Sequence, residues 1–414
     1  MVEHLFREEA AKMVAILTRI FGVEHLSLAE DVVQEALAKA LQTWPYHGLP
    51  QNPSAWIMRV ARNLALDVVR REKVFRGKEP EIARLIEQSE PTPESAASLD
   101  QEIRDDRLRM MFVCCHPLLN GEAQVALALK ILCGFSVGEI SSAFLTNEAV
   151  IAKRLTRAKQ KLQEARVPFE IPEGAALAER LEGVLKTLYL LFNEGYKASS
   201  GDTLVRKELC QEAIDLTALL AQHPAGNQPR THALLALMLL NGARLASRVD
   251  GEGNLLRLQE QDRQQWDRSM IARGMFHLAL SATGPDMTEY HIQAAIAACH
   301  GTAPDYASTD WRQIQLLYDR LMKFDRSPIV ALNRAVAVAK VSGPRAGLDA
   351  LPGWDRNELE SYHLLHAVRG DFEEQLGNFT AAAAHFRKAR DLAELKSEKT
   401  FLAKRLAACE NPIR

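Results

Sequence analysis

Two segments rich in arginine and lysine hold the residues best able to do chemistry in this chain, and that chemistry is phosphate neutralisation. The first runs from Trp56 to Arg71 and sets Arg59, Arg62, Arg70 and Arg71 among Trp56 and Asn63. The second opens at Ile151. Between residues 151 and 166, Lys153, Arg154, Arg157, Lys159, Lys161 and Arg166 stand against a single acid, Glu164. Such a local excess of cations releases counterions from a nucleic-acid backbone. Cations interleaved with a stacking ring and an amide suit unstacked or opening DNA better than plain duplex. Taken alone, the residues leave two other readings open: a solvated basic helix with no partner, and a Trp56 that belongs to the core.

A recognition surface needs an element that presents one face. Ile151, Leu155, Ala158 and Leu162 recur at helical spacing as an apolar stripe, with Arg154, Arg157 and Lys161 on a neighbouring face. Asn147 is a residue type that caps helix starts. Val137 to Ala143 predicts a preceding helix, and Phe144-Leu145-Thr146-Asn147 a turn, so residues 134–162 follow a helix-turn-helix pattern whose turn lacks the usual glycine. The first residues of a recognition helix enter the major groove while flanking cations hold phosphates. Glu148, Ala149, Lys153 and Arg154 are therefore the candidates for base edges.

The rest of the chain predicts an all-α fold, since nearly every segment shows three-to-four spacing and none alternates convincingly. Leu37, Ala40 and Trp44 share one stripe, leaving Asp31, Gln34 and Glu35 more exposed; Pro45, Gly48, Pro50 and Pro53 then break the chain into a loop. Residues 88–95 are polar and proline-bearing, as a flexible linker is. A second helical group runs from Asp105 to Val167, and Pro168 and Pro172 mark a junction. From Ala175 to Arg414 helices follow one another as in an α-solenoid. Gly377, Phe379, Ala382, Phe386 and Ala389 match the second half of a tetratricopeptide unit, but Glu373 stands where its first half has an aromatic. A degenerate repeat and a plain helical hairpin both remain open.

At 414 residues and 47% hydrophobic content, two or three domains are expected. The net charge of −2 averages regions of opposite character. Six cysteines, two of them adjacent, do not make a disulfide framework. Residues 1–11 hold no apolar signal core, and no stretch approaches the roughly 20 apolar residues of a membrane span, so a cytoplasmic protein without a membrane partner is expected. Cys114-Cys115-His116 lacks the second ligand pair of a closed zinc site. Asp250 to Asn254 lacks the pattern of a calcium loop. No metal and no cofactor are expected. Gln261-Asp262-Arg263, Trp266, Asp267 and Thr309-Asp310-Trp311 either line a ligand groove or tie solenoid helices by buried ion pairs; the tie is the expectation. No nucleophile–base pair or phosphate-cradling glycine loop argues for an enzyme.

The motifs also resemble a family. Glu30-Asp31-Val32-Val33-Gln34-Glu35-Ala36 and Pro53 to Asn63 resemble region two of bacterial extracytoplasmic-function (ECF) sigma factors, and Glu122 to Lys159 resembles their region four. Cys114-Cys115-His116-Pro117, Phe192 to Tyr196, Gln261-Asp262-Arg263, Thr309-Asp310-Trp311 and Leu332 to Ala337 are similar to a subgroup with a long, tetratricopeptide-like C-terminal extension. The resemblance implies core RNA polymerase as partner, through its largest-subunit clamp helices and its flap, with Asp31, Gln34 and Glu35 facing the clamp helices. It implies that Trp56, Arg59, Arg62, Asn63, Arg70 and Arg71 hold the −10 element. It implies that Asn147, Glu148, Ala149, Lys153, Arg154, Arg157 and Lys161 read the −35 element. The implied domains are 1–75 (region two), 76–104 (linker), 105–167 (region four) and 168–414, a regulatory domain in possible intramolecular contact with the others. A stand-alone helix-turn-helix regulator with a helical sensor domain, and a tetratricopeptide scaffold, are the rival readings.

Overall fold

The computed structural model describes residues 2–71, 105–144, 146–196, 207–251, 256–351, 362–393 and 396–410. The expected linker at 76–104 and residues 252–254 of the glycine-rich turn lie outside them. The fold is all-α, with no strand among the described residues. Contacts divide the chain into two units, Met1–Leu191 and Phe192–Arg414.

In the first unit α1 (Val2–Phe21), α2 (Leu26–His47) and α3 (Pro53–Arg71) pack on one another. Their apolar positions recur every three or four residues: Ile16 and Ile20, then Ala29, Val33, Ala36 and Ala40, then Ile57, Ala61 and Ala65, none more than 3% exposed. Alanines at the contact let the helix axes approach closely. Gly22 (φ 93°) closes α1, its N–H donating to Thr18 O at 2.8 Å, and a one-turn 3₁₀ helix, Val23–His25, leads into α2. Pro45 does not open the loop as expected but sits in the last turn of α2, where its missing N–H removes only one helical bond; the helix ends at Gly48.

Residues 105–114 form a helix whose Leu108, Met110, Met111, Phe112, Val113 and Cys114 are at most 1% exposed. It is followed by α4 (Gly121–Ile131), α5 (Val137–Ala143) and α6 (Glu148–Glu164). Helix α4 is buried nearly all round, and Gln124 Nε2 donates to the Cys115 and His116 carbonyls at 3.2 and 3.1 Å, closing the preceding helix end. α7 (Gly174–Tyr196) begins in this unit, and Arg180 there donates to Phe112 O at 2.8 Å. The contact grouping thus sets 168–191 with the first unit, where the sequence expectation had begun the C-terminal domain.

The second unit is a succession of helices, each packed mainly on its neighbours in the chain, as in a solenoid. They are α8 (Lys207–Gln222), α9 (Pro229–Gly242), α10 (Arg268–Ser281), α11 (Glu289–Thr302), α12 (Trp311–Leu321), α13 (Pro328–Ser342), α14 (Pro344–Asp349), α15 (His363–Gln375), α16 (Phe379–Leu392) and α17 (Lys396–Glu410). Thr231 to Leu240 of α9 are all buried, as expected of a helix with apolar residues on every side. Toward the end, Ala382, Phe386 and Ala389 fall in the core of α15–α17, whereas Phe379 is 39% exposed. A β-carbon at Gly370 would meet the Phe386 ring at 2.9 Å, so the ring lies against bare backbone. Arg405 lies over that ring at 4.7 Å and pairs with Asp371 at 2.8 Å and with Glu374.

His232 and His277 stack with their Nδ1 atoms 3.0 Å apart. Burial, with His232 and Arg273 nearby, depresses the His277 pKa from 6.5 to about 4. The unfolded chain therefore takes up this proton first, and the stability contributed by neutral His277 is complete above about pH 6.5 and is lost as pH falls toward 4. Urea midpoints of the intact chain should decline across that window, and His277→Gln should flatten the decline.

Candidate nucleic-acid interface

The Asn147 side chain accepts from Val150 N at 2.9 Å and starts α6 as expected. The preceding helix, α5, carries a capping box: Ser136 Oγ accepts from Glu139 N at 3.1 Å, and the Glu139 carboxylate accepts from Ser136 N at 2.8 Å. Ile151, Leu155, Ala158 and Leu162 are buried, so the register of α6 is fixed from inside. Arg166 (φ 47°) ends it in a left-handed turn, with Val167 N donating to Leu162 O at 3.1 Å.

That register sorts the cations. Lys153, Arg157 and Lys161 are exposed, as are Asn147, Glu148 and Ala149 at the helix start. Arg154 is half-buried instead, lying 5.3 Å over the Phe144 ring and pairing with Glu122 Oε2 at 2.6 Å. Lys159 pairs with Glu30, a buried carboxylate at the start of α2, while α6 packs on the Val23–His25 turn. The basic helix is therefore fastened across the first unit at two of its cations, neither of which the sequence reading saw as tied. A second long-range fastening joins Arg19 Nε to the Asp106 carboxylate, 1% exposed, at 2.9 Å, with Arg109 on its other oxygen at 2.7 Å.

Helix α3 starts at Pro53 under an Asn52 side chain that accepts from Ala55 N at 3.0 Å. At 100° per residue, Arg59, Asn63 and Arg70 fall within about 40° of one another, and all three are exposed. Trp56 is half-buried and meets Trp44 edge-on, the ring centroids 5.6 Å apart. Arg62 departs from the expectation: it is 4% exposed, and burial draws its pKa down to about 10. It lies on the flank of the buried Ile57–Ala61–Ala65 stripe, away from the exposed Arg59–Asn63–Arg70 line. The side chain of Arg71 lies outside the described residues.

On α2, Asp31, Gln34 and Glu35 form an exposed polar stripe, with Glu35 reaching Lys39 at 3.3 Å. The structure adds three large apolar side chains near the far end of this helix, Leu41 (60% exposed), Tyr46 (86%) and Leu49 (64%). Leu41 stands four residues after Leu37 and three before Trp44, so helical spacing sets it beside the Leu37–Ala40–Trp44 stripe and gave no signal of its exposure.

The cysteines do not form a centre. Cys114, Cys115 and Cys133 are buried free thiols, and burial pushes Cys115 up to about 12, the opposite of a metal-ready thiolate. Among the described residues no cluster of three or more histidines, cysteines and acids could hold a metal ion, and no helix is long and apolar enough to cross a membrane.

An uncharacterized protein of Rhizobium meliloti (strain 1021) is 41% identical over 385 residues, covering 92% of this chain and 90% of that protein. The chain belongs to its family. Residues 5–74 match Sigma-70 region 2, and residues 180–282 match a family of unknown function, DUF6596. The ECF RNA polymerase sigma factor SigE of Mycolicibacterium smegmatis is 26% identical over 163 residues, 39% of this chain and 60% of that protein. No solved structure matches. The region 2 match falls on α1–α3, and together with the likeness to SigE it supports a sigma-factor-like role for this family member.

The fastening of α6 has a measurable energy. Lys159→Met leaves the buried Glu30 carboxylate without its cation and should destabilise the first unit by about 1–3 kcal/mol. Urea unfolding followed by circular dichroism checks this, and an unchanged transition counts against the pair as a fastening.

Proposed function

We propose that the chain is an ECF-type sigma factor that binds core RNA polymerase and directs promoter-specific initiation. The observation that carries this reading is the Sigma-70 region 2 match over residues 5–74, on helices that expose an acidic and a basic stripe separately. Asp31, Gln34 and Glu35 face the clamp helices of the largest subunit. Arg59, Asn63 and Arg70 hold the −10 strand, with Trp56 as the ring on which a flipped base stacks. Arg62, being buried, holds α3 in place and does not touch DNA directly.

Helices α5 and α6 act as a helix-turn-helix within region four (105–167), which also meets the polymerase flap. Asn147, Glu148, Ala149 and Lys153 address base edges of the −35 element, and Arg157 and Lys161 its phosphates. Arg154 acts through Glu122 and Phe144, aiming the helix start. The second unit, with its tetratricopeptide-like end, regulates initiation in place of a separate inhibitor.

In vitro transcription with purified core polymerase and a promoter library tests the whole. Expected is a discrete set of start sites that appear only when chain and core enzyme are both present. A specific footprint by the chain alone, with no effect on core enzyme, supports a stand-alone regulator instead. Asp31→Ala should weaken polymerase binding and leave bound promoter preference unchanged. Lys153→Ala, Arg157→Ala and Lys161→Ala should each flatten the log–log salt dependence of promoter binding by about one unit; slopes equal to the parent's would remove α6 from the interface.

A further inference from the structure

Arg263 lies in a one-turn 3₁₀ helix, Arg263–Gln265, opened by Asp262, whose carboxylate accepts from Gln264 N at 2.9 Å. It is 6% exposed. Its Nη1 donates to the His300 and Ala303 carbonyls at 2.8 and 2.9 Å, and its Nη2 to Thr309 Oγ1 at 2.9 Å. Arg263 thus joins the end of α11 to the Thr309 turn, the tie expected of this motif, but every acceptor is neutral. Among the described residues the expected ion pair is not there.

Further cations gather around it. The guanidinium carbons of Arg263 and Arg244 lie 4.9 and 5.6 Å from the centre of the Trp266 ring. Arg268 Nη2 donates to Arg263 O at 3.3 Å. Arg248 lies 3.8 Å over the Tyr196 ring, within the field of Arg244. Among the described residues, none of Arg244, Arg248, Arg263 and Arg268 has a carboxylate oxygen within 4.0 Å. Asp305 is the acid whose field reaches Arg263, and it is exposed and bonded to Ser308 N at 2.7 Å.

Four buried nitrogens of this group have no hydrogen-bond partner among the described residues: Nε of Arg263, Nε of Arg244, Nε1 of Trp266 and Nδ1 of His300. Trp266 is 3% exposed. Buried donors are normally satisfied and buried charges normally paired. Burial, with Arg244 and Arg263 adjacent, drives His300 down to about 3, so the ring stays neutral and adds no charge of its own. Arg244, in contrast, is only half-buried, and its guanidinium bonds to none of the described residues.

We infer that this cluster is a binding site for a compact oxyanion, a phosphate or carboxylate group, received by Arg244 and held in the field of Arg263 and Arg268 beside Trp266. The guanidinium fork favours both groups, because each offers two oxygens at matching spacing. Arg244, Arg248, Arg263, Trp266 and Arg268 all fall within residues 180–282, the segment matched by the family of unknown function. The site is independent of the promoter reading and stands or falls without it.

Isothermal titration of the full chain with inorganic phosphate, and separately with succinate, tests this at constant ionic strength set by chloride. Saturable binding of at least one anion is expected, and which one binds separates the two chemistries. Arg244→Gln should weaken it at least roughly tenfold, with Arg244→Lys in between, since a point charge replaces a fork. Arg345→Gln, in the exposed Arg345–Asp349 pair of α14, should leave it unchanged. The inference is overturned if neither anion binds above the chloride background, if a folded Arg244→Gln chain binds as well as the parent, or if Arg345→Gln abolishes binding.

Discussion

A surface helix has one face to bury, and in α3 and α6 that constraint decides where the charges can stand. In α6 the burial of Ile151, Leu155, Ala158 and Leu162 sets the rotation of the helix. Each fully buried leucine or isoleucine contributes about 1.5–3 kcal/mol, so a rotated register would cost far more than any surface charge returns. Lys153, Arg157 and Lys161 then face water because no other direction is left. The same holds in α3, where Ile57, Ala61 and Ala65 face in and Arg59, Asn63 and Arg70 face out. Arg62 shows the constraint from the other side. It falls on the flank of the buried stripe and is carried inward, losing solvation.

What periodicity cannot place is the partner of a charge. Glu30 lies within the stretch 30–36 that resembles region two, and Lys159 belongs to the basic helix; in sequence they are distant, and in the fold they pair. Arg154 and Glu122 do likewise. These pairs divide the cations of α6 into a fastened set and a solvent-facing set. Composition counts them all alike. The set of cations left facing solvent is thus smaller than the sequence total, and Lys153, Arg157 and Lys161 lie along one side of the helix.

Local features were legible because their causes are local. An asparagine before an apolar-periodic run caps a helix by its own side chain, and Asn147 does so. Ala382, Phe386 and Ala389 were readable as core positions because helical spacing puts them on one face, and they are buried. Phe379, one turn earlier in the same pattern, stays 39% exposed, since what covers it depends on a neighbouring helix and not on spacing. Pro45 lies within α2 because a proline in the last turn forfeits only its own N–H bond to the carbonyl four residues back, and the helix ends two residues later at His47. The division of the chain at Leu191 was illegible for a different reason. Pro168 and Pro172 look like a boundary, but Arg180 belongs with Phe112 through a bond between residues 68 apart.

Two arginines of the second unit make the same kind of contact under opposite electrostatic conditions. Arg405 lies over Phe386 and is compensated by Asp371 and Glu374, so its charge is accounted for within the fold. Arg263 lies over Trp266 with carbonyls and a hydroxyl as its acceptors. Neutral acceptors satisfy hydrogen bonds but leave the net charge in place, and nearby arginines raise the local potential further. If helix-tying were the whole purpose, the arrangement at Arg405 would achieve it at lower electrostatic cost. A cationic cluster with no carboxylate bonded to its guanidinium groups among the described residues is instead what a site for an external anion requires, because a carboxylate already in place would compete with the ligand for the same guanidinium.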